Sequence, residues 1–177
     1  MNAVELLKAE SDLAYKEVLE AIEGVNERLA WASLPPAAGD YLHTDGSIFG
    51  LVLHIATGKF IYGSVGFRQR EIRWRDLADR IATFEPDWQA AVAFLKESHE
   101  YWRSTWESIS ESDLDEPAER FRGDFHPAWQ IIRTVTAHDS YHAGQIALIR
   151  YAVNPSSKHP ASVAEDIRTY CRDLPSW

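Results

Sequence analysis

The chain has 177 residues, with 27 acidic side chains against 18 lysines and arginines and a formal charge of −9 at pH 7. That length suits one domain, residues 1–177, whose core needs neither a disulfide nor a structural metal, and 45% apolar with 25% charged residues excludes a disordered chain. The acidic balance argues against nucleic-acid binding, the lone Cys171 excludes a disulfide framework, and no apolar run of about 18 residues or basic, apolar N-terminus predicts a membrane span or a secretory signal.

These features predict a cytoplasmic protein with neither a nucleic-acid nor a membrane partner. From Ala3 to Trp31 the periodicity is helical: Val4, Leu7, Ala14, Val18, Ile22, Val25 and Leu29 share one stripe, which ends before Pro35-Pro36. A second helix is expected after Thr44-Asp45-Gly46-Ser47, which offers several N-caps. Ile48, Leu51, Val52, Ile55 and Ile61 form its apolar face, and Gly50, Gly58, Gly63 and Gly66 would let a neighbour approach closely. Arg68 to Arg80, with acids interleaved, reads as a solvated linker with a short helical turn.

A third helix opens at Glu85-Pro86-Asp87, with Pro at an early helical position. Trp88, Val92, Leu95, His99, Trp102, Trp106 and Ile109 follow in steps of four and three, a bundle seam. A fourth opens near Asp124-Phe125-His126-Pro127. Its seam runs Ile131, Val135, His138, His142, Gln145 and Ile149, and Asn154-Pro155 ends it. An amphipathic segment, Ser162 to Cys171, follows. With no strand-like alternation, the pattern predicts an all-α four-helix bundle with a short extra C-terminal helical segment and no sheet. Seven Trp, seven Tyr and seven Phe are enough for a thick core, an aromatic-lined pocket or a covered subunit face, and a homodimer is expected.

The chemistry lies on the fourth seam. His138 and His142 are four residues apart, so a helix sets both imidazoles on one face, close enough to share a divalent ion. Core histidines satisfied by carboxylates or carbonyls would show the same spacing. A metal site needs a third ligand from elsewhere, and His54, on the inward half of the second helix, is the best candidate. Asp139 would cap another group or orient a ring, since one helical step turns it about 100° from His138. His99 on the third seam could face an open coordination position or be a boundary histidine, and Trp102 beside it is a candidate pocket residue. Gln145 could support a ligand or tie two helices together, and Gly144 reads as a close-packing glycine. His43, His126 and His159 read as exposed.

Two segments carry a resemblance. Leu51-Val-Leu-His54-Ile-Ala56, and Trp129-Gln-Ile-Ile-Arg-Thr-Val-Thr-Ala-His138-Asp-Ser-Tyr141-His142-Ala-Gly144-Gln145-Ile146-Ala-Leu148-Ile-Arg150, resemble the DinB/YfiT-like family of metalloenzymes. That family has one His on its second helix and His-x-x-x-His-x-Gly-Gln-Ile on its fourth. The resemblance implies a four-helix bundle with a three-His site for zinc or nickel, whose ligands carry over to His54, His138 and His142. It also implies varied activities: some relatives transfer low-molecular-weight thiols such as bacillithiol, and some isomerise maleylpyruvate with mycothiol.

Three neutral histidines would leave an ion its full charge and open positions, the layout of a catalytic rather than a structural site. Such a position can lower the pKa of water or hold a thiol as thiolate. The expected function is therefore metal-dependent and acts on a small-molecule substrate, first by transfer of a low-molecular-weight thiol. Metal-dependent hydrolysis, or a bundle that binds metal or ligand without catalysis, are the alternatives.

Overall fold

A computed structural model describes residues 1–33 and 44–153. In chain order it has α1 (Ala3–Ile22), α2 (Glu27–Ala30), α3 (Ile48–Phe67), α4 (Trp74–Ile81), α5 (Trp88–Thr105), β1 (Pro117–Phe121), β2 (Asp124–Pro127) and α6 (Ala128–Val153). Most described residues are helical. The expected C-terminal segment, with Cys171, His159 and also His43, lies outside the described residues.

Local chemistry sets the helix ends. Asn2 and Glu5 form a reciprocal capping box at the start of α1. Gly24, at φ +72°, then breaks the predicted Ala3–Trp31 helix, and Asn26 caps the single turn of α2. Ser47 caps α3 through the Gly50 amide, as its position in Thr44-Asp45-Gly46-Ser47 suggested. Asp87 caps α5, so Pro86, in a cis peptide bond with Glu85, precedes the helix instead of opening it.

The four long helices bury two adjoining apolar clusters. Val18, Ile55, Phe60, Trp88, Leu95 and Ile146 belong to the larger, and Trp102, Trp106, Ile131, Ile132 and Val135 to the smaller. The core is therefore rich in aromatics: the indole N–H of Trp88 donates to the Val25 carbonyl at 2.9 Å, which lets the ring sit 2% exposed. Helix α3 packs against α5 and α6, and α1 against α6. At Gly63, an added Cβ would stand 3.0 Å from Thr105 Cγ2 and Tyr101 Cε1, so a missing side chain brings α3 and α5 together.

Several expectations are corrected. Pro117 to Pro127 is an antiparallel two-stranded hairpin and not a helix approach; Gly123 at φ +83° and Arg122 at φ +50° make its turn. Short alternation in Ala118, Glu119 and Arg120 was too brief to read. His126 sits half-buried in β2 beside Asp124. Trp106 and Ile109 lie past the end of α5, although Trp106 is still core. In the Arg68–Arg80 segment, Gln69 and Arg70 turn the chain with positive φ and α4 follows as eight residues. Gly144 faces open space, with no described atom within 4 Å of an added Cβ, so it is not a packing glycine. Helix α3 is long and apolar enough by composition to cross a membrane, contrary to the sequence reading, but 67% of that stretch is buried within the fold. That burial is what a core helix shows.

Candidate metal centre

His54 stands on α3, and His138 and His142 on successive turns of α6. The α3–α6 contact turns the three rings toward one point. His138 Nε2 lies 2.9 Å from His54 Nε2 and 3.0 Å from His142 Nε2, and one nitrogen from each ring falls within 4.8 Å of the others. His142 is buried, while His54 and His138 are half-buried.

The proton positions fit a ligand set. His142 Nδ1 lies 2.6 Å from Gln145 Oε1. A carbonyl oxygen there accepts a hydrogen bond, so Nδ1 carries the proton and Nε2 presents its lone pair to the cluster. Burial first, then the neighbouring imidazoles, lowers His138 to about 3. Burial, partly opposed by Gln145, lowers His142 to about 4. Both rings are neutral at pH 7. A single Nε2 proton on His138 can serve one neighbour but not both, so three facing nitrogens are left with more lone pairs than protons. A divalent cation satisfies such a set, and bonds of about 2.0–2.1 Å from a common ion span these separations.

The cluster borders open space. A cleft of about 940 Å³ has His54 and His138 in its wall, together with Trp31, Phe49, Tyr62 and Trp74. His142 sits behind them, 3% exposed. The arrangement has two imidazoles at an accessible wall and one anchored by Gln145.

Asp139 does not touch these rings through any hydrogen bond among the described residues. The buried stripe of α6 runs Ile131, Ile132, Val135, Asp139, His142, Ala143, Ile146 and Ile149. The core therefore passes through Asp139 and leaves His138 at its edge, because a core-facing stripe is wider than a strict four-three seam. Asp139 Oδ2 pairs with Lys59 Nζ of α3, and both side chains are buried. His99 joins this network from α5: its Nδ1 lies 3.4 Å from Lys59 Nζ, and its ring stacks on Tyr15 at 3.7 Å. Trp102 is a core ring, fully buried, with its indole N–H donating to Ser11 Oγ at 3.4 Å. Neither His99 nor Trp102 lines the cleft. Lys59 was not singled out in the sequence. Its signal was present, since it is the only Lys, Arg, Asp or Glu between Ile48 and Phe67.

Fold and cluster together define a helical protein with a three-histidine site of metal-ligand chemistry opening on a cleft. The sequence profile of the DinB superfamily matches residues 11–146, a span that includes all three histidines, and the chain belongs to that superfamily. No curated protein gives a significant match.

Proposed function

We propose that the chain binds one divalent metal ion, zinc or nickel, through the Nε2 atoms of His54, His138 and His142, and that the loaded protein transfers a low-molecular-weight thiol to a small molecule held in the cleft. The architecture proposed with it is the DinB/YfiT-like four-helix bundle, made by α1, α3, α5 and α6. One observation carries the reading: three imidazole nitrogens converge at 2.9–3.0 Å spacings where His54 and His138 form part of the cleft wall.

A metal ion held there would supply a Lewis-acid position able to hold a thiol as thiolate or to lower the pKa of water. The chain's own contribution is separable from that. Burial keeps His138 and His142 neutral, so neither needs to lose a proton to ligate near neutral pH. Gln145 fixes the His142 tautomer. Lys59 and Asp139 tie together the two helices that carry the ligands. The aromatic wall gives a small molecule an apolar surface beside the site.

The test begins with metal analysis of protein purified without an affinity tag. The loaded protein is then assayed with a panel of low-molecular-weight thiols against the electrophile monobromobimane. Metal near one ion per chain and thiol consumption above the uncatalysed rate, lost on chelation, are expected. Turnover of ester or amide probes with water alone, and none with any thiol, would replace transfer by hydrolysis.

A further inference from the structure

Four arginines of the fold are held in ion pairs. Arg70 pairs with Glu119, Arg73 with Asp76, Arg80 with Glu97 and Arg103 with Asp12. The Arg120 side chain forms no ion pair or hydrogen bond with any described residue, and its Nε is buried without a hydrogen-bond partner among them. A guanidinium N–H withdrawn from water without an acceptor is costly, so the position calls for one. Arg120 lines the same cleft as His54 and His138, and it is the only lysine or arginine among the described residues doing so.

The rest of the wall narrows the ligand. Trp31, Phe49, Tyr62, Trp74 and Phe121 line the cleft, with Trp31 stacked on Phe49 at 4.5 Å and Tyr62 edge-on to Phe121 at 4.7 Å. Trp31 and Trp74 remain 42% and 56% exposed, so their rings are accessible to a ligand in the cleft. Two carboxylates also line it. Asp45 is engaged with the Ser47 amide and hydroxyl at the start of α3, and neither it nor Glu85 pairs with Arg120. With two carboxylates in the wall beside one cation, a dianion is disfavoured more strongly than a single carboxylate paired to Arg120.

We propose that Arg120 anchors the carboxylate of a flat, apolar-bodied monocarboxylic acid, and that this is the substrate class of the cleft. A carboxylate takes two parallel N–H bonds from a guanidinium, while the aromatic wall covers the body of the molecule. The reaction rests on the metal reading above; the binding does not.

The test uses phenylacetate and its neutral analogue phenylacetamide, titrated by calorimetry into metal-loaded and chelator-stripped protein. Wild type is expected to bind phenylacetate about 10-fold more tightly than the amide in both forms. Arg120→Met should reduce that ratio to about one with amide binding unchanged, and Arg120→Lys should keep part of the preference. Circular dichroism and the urea midpoint check that both variants fold, and the Lys variant carries the test if the Met variant does not. Equal binding of acid and amide by wild type, or a preference that survives in Arg120→Met, overturns the proposal. A protein that takes up no metal yet discriminates through Arg120 sinks the metal reading alone, whereas a metal-loaded protein without discrimination sinks this one alone.

Discussion

Lys59 of α3 and Asp139 of α6 form an ion pair with each side chain 1% exposed. The pair sits five residues after His54 and directly after His138, so it joins the two helices that carry the histidine cluster. Burial pushes the Lys59 ammonium down and the Asp139 carboxyl up, each toward its neutral form, and their mutual attraction opposes both shifts. The second oxygen of Asp139, Oδ1, is buried with no hydrogen-bond partner among the described residues.

Breaking the pair from one side should therefore be severe. Lys59→Met leaves a buried carboxyl alone and is expected to cost about 3–5 kcal/mol of stability in urea unfolding. The Lys59→Met/Asp139→Leu double variant removes both charges and should recover most of that loss. Equal destabilisation of the single and the double variant would show that the pair is not the source.

Gln145 reaches only His142 Nδ1 among the polar contacts of the cluster. Gln145→Leu keeps the bulk of the side chain but removes the acceptor that fixes the tautomer. Metal affinity, measured by competition with a chelator, should fall about 10–100-fold with the helical content unchanged. Unchanged affinity would remove Gln145 from the site.

How much of this was legible in the sequence depends on the range of the physics. His138 and His142 lie on one helix, so their shared face follows from local geometry alone. His54 required a long-range contact, which its place on the inward half of the second helix suggested and the family resemblance supplied. The Lys59–Asp139 pair spans α3 and α6, and nothing local says that an Asp one step past His138 faces a lysine 80 residues earlier. Arg120 carried no signal at all, because its meaning comes from a cleft whose wall α3, α4, α6 and the hairpin all help to form. The hairpin itself was too short for period-two alternation to emerge.

Two glycines make opposite predictions. Gly63→Ala pushes a Cβ against Thr105 and Tyr101 at 3.0 Å and should destabilise by about 1–3 kcal/mol. Gly144→Ala meets no described atom and should stabilise α6 by up to about 1 kcal/mol, the helix-propensity difference. Thermal or urea melts compare them directly, and a shift in the same direction for both would contradict the packing described.

Stability of the metal-free protein should fall with acid. His99 is lowered to about 3 by burial and then by Lys59 and Arg103. His138 at about 3 and His142 at about 4 are lowered chiefly by burial. The unfolded chain takes up these protons as pH drops through about 6.5, while the folded chain refuses them until about 3–4. The contribution of these three rings is therefore full above about pH 7 and declines continuously below 6.5. The Asp139 carboxyl, pushed up by burial, acts in the opposite sense, so the comparison uses the chelator-treated Lys59→Met/Asp139→Leu protein, whose urea midpoints at pH 7.5, 6 and 5 should decrease in that order. A flat profile would mean that these rings are not buried as neutral groups.

The central claim is that three histidines hold one ion. Metal content per chain, measured on untagged protein after equilibration with zinc or nickel and gel filtration, tests it most directly. Wild type and His126→Ala are expected near one ion per chain, and His54→Ala, His138→Ala and His142→Ala well below half of that. Full occupancy in His142→Ala, or no bound metal in wild type, would contradict the account.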